Sequence, residues 1–188
     1  MTRKYCLVIF LFQLLTIISG CSGHSDTPTP RPVAYPRLSV APEAYHPINA
    51  AGVSLEINDA AVDSLYARQS STWLNITYPA YCNGSVIYCT ITPTSQSEID
   101  RVIDNRLERI ALNLGGSPAE VTNLQSPAGW DCRLVKALSP IVTPLQFIAS
   151  GNEKVITGAY YISAPGDSVA PLIDAVERDI IHLLKTLK

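Results

Sequence analysis

Two runs in which apolar and polar residues alternate flank an Asn-Gly pair. Trp73-Leu74-Asn75-Ile76-Thr77-Tyr78 precedes Asn83-Gly84, and Val86-Ile87-Tyr88-Cys89-Thr90-Ile91 follows it. Alternation with period two places successive side chains on opposite faces of a strand. Asn-Gly supplies the two positive φ angles that a tight hairpin needs. If those two residues form the loop, Tyr81 lies opposite Val86 and Tyr78 opposite Cys89. Leu74, Ile76, Tyr78, Ile87, Cys89 and Ile91 then share an apolar face, and Asn75, Thr77, Thr90 and Thr92 a polar one.

The remaining patterns extend this sheet. Val53 to Ile57 alternates as a half-buried strand does, while 60–67 is short and weakly helical and reads as loop. Ile99, Val102, Ile103, Leu107, Ile110 and Leu114 recur at helical spacing, with Asp100, Arg101, Asp104, Arg106 and Arg109 on the solvated side. Ser95 or Ser97 is the expected cap, Ser95 to Glu98 fitting a capping box, and Gly115-Gly116 the stop. Strands are expected at 120–124 (an edge), 131–138, 145–149 and 155–162, the last two joined through Ser150-Gly151-Asn152. A closing helix begins near Asp167-Ser168, with Pro171 in its first turn. Its apolar side is Leu172, Ile173, Val176, Ile180, Leu183, Leu184 and Leu187, and Glu177-Arg178-Asp179 reads as a solvated charge run. The order of strands, helix, strands, helix predicts an α+β fold: a mainly antiparallel sheet layered with two amphipathic helices.

The amino end has a different character. Arg3 and Lys4 precede an apolar run from Cys6 to Ile18, then Ser19-Gly20-Cys21. This is the pattern of a secretory signal peptide, the run being shorter than the ~20 residues that span a bilayer. A cysteine directly after Ser-Gly resembles a lipoprotein signal, in which Cys21 receives a diacylglycerol and becomes the new amino terminus. Residues 1–20 are then the signal and 21–36 a tether. Pro28, Pro30, Pro32 and Pro36 keep that tether extended. Residues 37–188 form one α+β domain. Several acyl chains anchor a protein far better than one, at about 0.8 kcal/mol per buried methylene. The expected place is the bacterial envelope, on a membrane, with the domain in the periplasm. The formal net charge of −2 gives no electrostatic case for nucleic acid as a partner.

Chemistry-bearing residues are sparse. After Cys6 and Cys21, the chain keeps Cys82, Cys89 and Cys132, an odd number. They read either as buried thiols packing like small hydrophobes or as a Cys89–Cys132 disulfide between neighbouring strands. His24, His46 and His182 are scattered, His182 being a surface or interfacial imidazole of the last helix. No nucleophile elbow, phosphate loop, zinc motif or dinucleotide fingerprint occurs, so no catalytic residue, cofactor or metal is assigned. Asp63-Ser64-Leu65 and Asp167-Ser168-Val169 resemble acceptors for periplasmic O-glycosylation, though capping explains Ser168 equally well.

Several segments in succession resemble the gliding motility lipoprotein GldD family. They are Thr27-Pro28-Thr29-Pro30-Arg31-Pro32 followed by Tyr35-Pro36-Arg37-Leu38, then Trp73-Leu74-Asn75-Ile76 with Tyr78-Pro79. Thr143-Pro144-Leu145-Gln146-Phe147 and Gly158-Ala159-Tyr160-Tyr161 follow. The series ends with Asp167-Ser168-Val169-Ala170-Pro171 and Asp179-Ile180-Ile181-His182-Leu183. The chain departs from the family pattern at Val33-Ala34, where a glycine is usual, and at 53–58, which replaces a phenylalanine-rich strand with proline. It is therefore identified as a divergent member. The resemblance implies a lipid-anchored, non-catalytic accessory of the gliding and type IX secretion machinery, with envelope proteins as partners. The element order also resembles the Mog1/PsbP-like sandwich, an analogy of fold alone.

Tyr35, Arg37, Tyr45 and Trp130 are the candidate partner contacts, aromatic residues and arginine being common interface anchors. Two other functions remain open. A small-ligand or lipid carrier would have a cavity lined by Leu74, Ile76, Ile103 and Leu107. A hydrolase would have polar groups converging in a cleft.

Overall fold

The computed structural model describes residues 38–82, 84–163 and 169–188. Arg37–Lys188 is a compact unit. The expectations for Cys21, His24, Tyr35, Arg37, Asn83, Asp167 and Ser168 fall outside the described residues.

The elements in chain order are β1 (Tyr45–Ala50), β2 (Val53–Asn58), β3 (Val62–Arg68), β4 (Ser71–Tyr78) and β5 (Ser85–Pro93). There follow α1 (Ile99–Leu114), β6 (Ala119–Gln125), β7 (Asp131–Ala137), β8 (Leu145–Gly151), β9 (Lys154–Tyr161) and α2 (Ala170–Thr186). This is an α+β architecture. β3 to β9 make one antiparallel sheet in the order β3-β4-β5-β9-β8-β7-β6, and β1 and β2 make a separate hairpin. β6 is an edge strand, as its sequence suggested.

The two faces of the large sheet are covered unequally. On one face lie α2 and the β1–β2 hairpin. There Leu74, Ile76, Ile87, Cys89, Ile91, Leu134, Phe147, Ile156 and Tyr160 meet Leu55, Ile57, Leu172, Val176, Ile180 and Leu184 in one buried cluster. Fully burying each such side chain contributes about 1.5–3 kcal/mol, so this layer dominates the stability. The residues after α2 join it too, because Ser54 and Lys188 exchange backbone hydrogen bonds at 3.0 and 3.1 Å. On the other face, α1 lies mainly over β8 and β9. Its apolar stripe is half-buried, and none of its residues is fully buried.

Turn chemistry sets the registers. Asn152 and Glu153 both have positive φ (49° and 55°), and Gly151 pairs with Lys154, so β8 and β9 are joined by a two-residue turn of the type that matches strand twist. Ala51 and Gly52 do the same between β1 and β2.

The expected tight turn at Asn83-Gly84 is corrected. Tyr78 lies opposite Ser85, not Cys89. Pro79 has no N–H to continue the ladder, so β4 stops at Tyr78. The connection instead coils through backbone bonds from Tyr81 N to Tyr78 O and from Ser85 N to Tyr81 O. The register moves by an even number of residues, so the inward and outward sets stay as alternation assigned them.

Three other expectations change. Residues 60–67 are not loop: β3 pairs with β4 along its whole length, from Val62 opposite Thr77 to Arg68 opposite Ser71. Its exposure on both faces erased the alternation that would have marked it. Ser95 and Ser97 do not cap α1. Glu98 holds the cap position without a side-chain cap bond, and the Ser95 hydroxyl donates to Glu98 Oε2 instead. Asp179 does not face water: it is 6% exposed.

Candidate functional site

Asp179 anchors a buried polar knot. Its Oδ1 accepts from the Tyr45 hydroxyl at 3.0 Å and from Asn58 Nδ2 at 3.2 Å, and its Oδ2 accepts from the Tyr78 hydroxyl at 2.9 Å. Three donors on one carboxylate satisfy most of its capacity, which is what lets the charge stay inside. Burial first, and then the Asp179 carboxylate, raise the phenol of Tyr78 well above its ordinary range. The same causes, with burial again the largest, push Tyr45 up to about 12. The Tyr45 ring stacks on His182 with centroids 3.7 Å apart, and His182 Nε2 lies 2.7 Å from Glu56 Oε2. The knot therefore ties β1 and β2 to α2 and to β4, a structural task.

This changes the standing of the expected contact residues. Tyr45 is engaged within its own domain rather than offered to a partner. Trp130 is 0% exposed, its ring lying against Gly151, so it is not a surface contact. Cys89 and Cys132 are buried and unbonded to each other, on β5 and β7. Two strands, β9 and β8, separate them, a span of about 14 Å at ordinary strand spacing. A disulfide needs Cα atoms within about 7 Å. The Cys89–Cys132 bridge is thus replaced by two buried thiols, each pushed up to about 12 by burial, with Asp131 adding to the effect at Cys132. The four residues proposed to line a carrier cavity are also divided. Leu74 and Ile76 belong to the filled core under α2, whereas Ile103 and Leu107 border a cleft of about 540 Å³ under α1.

The surface aromatics gather elsewhere, on the α1 face of the sheet, beside the helix and beyond it. Tyr66, Trp73, Tyr88 and Tyr161 are 57%, 40%, 47% and 42% exposed. Tyr66 lies opposite Trp73 across β3 and β4. Trp73 lies opposite Thr90, two residues along β5 from Tyr88. Tyr88 lies opposite Ala159, two residues along β9 from Tyr161. The four rings therefore sit on one face as a diagonal row crossing four adjacent strands. At ordinary strand spacing and rise that row spans roughly 20 Å.

Cations and small polar groups border the row. Arg68 Cζ sits 5.9 Å from the centroid of the Trp73 ring. Arg106 and Arg109 of α1, with Tyr88 and Thr90, line a cleft of about 180 Å³ between helix and sheet. Burial and the neighbouring Arg109 charge lower the Arg106 guanidinium. Among the described residues, none of these three arginines has a carboxylate at ion-pair distance. Asn75, between Ser64 and Tyr88 in the register, has a covered Oδ1 that meets no donor.

Sequence reasoning missed this row and the knot, yet both leave a trace. Trp73, Tyr88 and Tyr161 occupy the positions of their strands that alternation assigns to the polar side. Asp179 falls at i+3 from Val176 and beside Ile180, inside the apolar phase of its helix.

Among the described residues, no group of three His, Cys, Asp or Glu side chains could hold a metal ion. No described helix is long and apolar enough to cross a membrane. No curated protein sequence matches this chain at a significant level. The family described as gliding motility lipoprotein GldD matches over residues 25–188, from within the proline-rich segment to the last residue. That span takes in every strand and both helices described above, and the chain belongs to the gliding motility lipoprotein GldD family.

Proposed function

We propose that this protein is a lipid-anchored, non-catalytic accessory of the gliding and type IX secretion machinery, acting as a binding module at the bacterial envelope. Cys21 carries the lipid, 21–36 is the tether, and the domain of 37–188 stands in the periplasm. The lipid limits diffusion to two dimensions, and the tether keeps the domain at high local concentration near envelope partners. The observation that carries this reading is the pairing of a filled core with one open aromatic face, Tyr66 to Tyr161, which suits binding rather than enclosure of a substrate.

Crosslinking in cells with the tethered protein as bait tests it. Recovery of secretion or motility components is the expected result, and their absence overturns the reading. A second reading, a small-ligand or lipid carrier, draws on the cleft of about 540 Å³ bordered by Ile103, Leu107 and Ile148. It predicts a co-purifying small molecule in the native mass spectrum.

A further inference from the structure

We propose that the aromatic row on the open sheet face is a binding site for the glycan strands of the cell wall. The site deepens the reading above and rests on its envelope location. Tyr66, Trp73, Tyr88 and Tyr161 lie exposed in an extended row across four strands. A pyranose ring presents a face of C–H bonds, and those partial positive charges pack on the negative face of an aromatic ring. Successive sugars of one strand meet successive rings of one row.

The surroundings of the row select the kind of sugar. Its immediate neighbours in register are Ser64, Asn75, Thr90 and Ala159, with the apolar Val86 opposite Tyr161. A protein hot spot is instead a desolvated pocket filled by an anchor side chain. The acetamido and hydroxyl groups of wall sugars match such donors and acceptors. Arg106 and Arg109 stand at the border of the row without a carboxylate at ion-pair distance among the described residues, although Glu108 lines a neighbouring cleft with both of them. They suit the carboxylates that hang at intervals from the wall glycan, since a guanidinium pairs with a carboxylate through two parallel hydrogen bonds. A nucleic acid would offer the same rings and far denser charge, which a chain of net charge −2 does not complement.

The test is co-sedimentation of the full lipidated chain, held in detergent, with purified protein-free sacculi. Microcrystalline cellulose serves as the neutral glycan. We expect sedimentation with sacculi and not with cellulose, and competition by muramidase-released fragments but not by the polysaccharide of outer-membrane lipid. The Trp73→Leu/Tyr88→Leu variant keeps apolar area but loses two rings, and it should bind at least about tenfold more weakly, the equivalent of about 1.4 kcal/mol. Arg106→Gln/Arg109→Gln, on a different element, should lose a similar factor together with most of the salt dependence. The inference is overturned by any of three results: no sedimentation, equal binding to cellulose, or undiminished binding in both variants. A chain that fails here yet still crosslinks to secretion components loses the glycan site alone and keeps its proposed function.

Discussion

The Tyr78 hydroxyl donates to Asp179 Oδ2 at 2.9 Å, and this bond joins the inner face of β4 to the middle of α2. Tyr78 also stacks on Tyr81 with centroids 5.1 Å apart, and the Tyr81 hydroxyl accepts from the backbone N–H of Ala41. A single buried carboxylate thereby ties the hairpin and the large sheet to the closing helix, and Tyr81 holds the segment ahead of β1 beside it.

Removing one donor is expected to cost less than removing the acceptor. Tyr78→Phe loses one bond to a charged group and should destabilise by about 1.5–3 kcal/mol. Asp179→Ala leaves two phenols and an amide without their partner and should cost more. Urea unfolding of both variants checks the order, and a smaller loss for Asp179→Ala would contradict the assigned role.

The same knot sets an alkaline limit. Both phenols have folded pKa values above the ordinary 10.0, Tyr45 at about 12 and Tyr78 higher. A raised value means that the folded chain holds the proton more tightly than the unfolded one. The stabilisation is therefore fully present below pH 10 and is lost as pH rises, through about 12 for Tyr45. Unfolding midpoints should fall across that window, and less steeply in Tyr78→Phe. An unchanged slope in that variant would contradict the linkage.

Gly158 is expected to resist replacement. A Cβ at this position would collide with Cε1 and Cζ of the buried Phe147 ring. Gly158→Ala should cost about 1–3 kcal/mol through overpacking. Adding Phe147→Leu should return part of it, giving a coupling that a double-mutant cycle reads directly.

Thiol chemistry separates the three cysteines of the domain. Cys82 is half-exposed, whereas Cys89 and Cys132 are buried with pKa values near 12. Alkylation of the native chain should mark Cys82 first and reach the other two only on unfolding. A non-reduced peptide map should contain no Cys89–Cys132 crosslink.

The lipid anchor is tested by Cys21→Ser. The variant should take up no labelled palmitate and should leave the membrane fraction on washing, because tether and domain alone offer no acyl chain. Retention in the membrane after salt and carbonate washes would count against lipidation at Cys21.

Alternation in 73–78 and 86–91 was enough to assign the inward and outward side chains of β4 and β5, because a period of two survives any even slip of register. Helical spacing likewise identified the stripes of α1 and α2, since burial of one side is written into residues three and four apart. The position of the turn was not legible, because Asn-Gly competes with Pro79 and only the assembled ladder shows which one ends the strand. β3 escaped notice because an edge strand exposed on both faces has no burial to record.

Neither the burial of Asp179 nor that of Trp130 is written in its sequence neighbours, because the groups that enclose them come from distant strands. Local sequence thus determined which elements form and which side of each is apolar, since both depend on neighbours along the chain. Tertiary structure alone decided that Asp179 finds three donors from β1, β2 and β4. It also decided that four rings from four strands fall into one row. Both depend on which strands become neighbours in space, and that is set by the balance of the whole core.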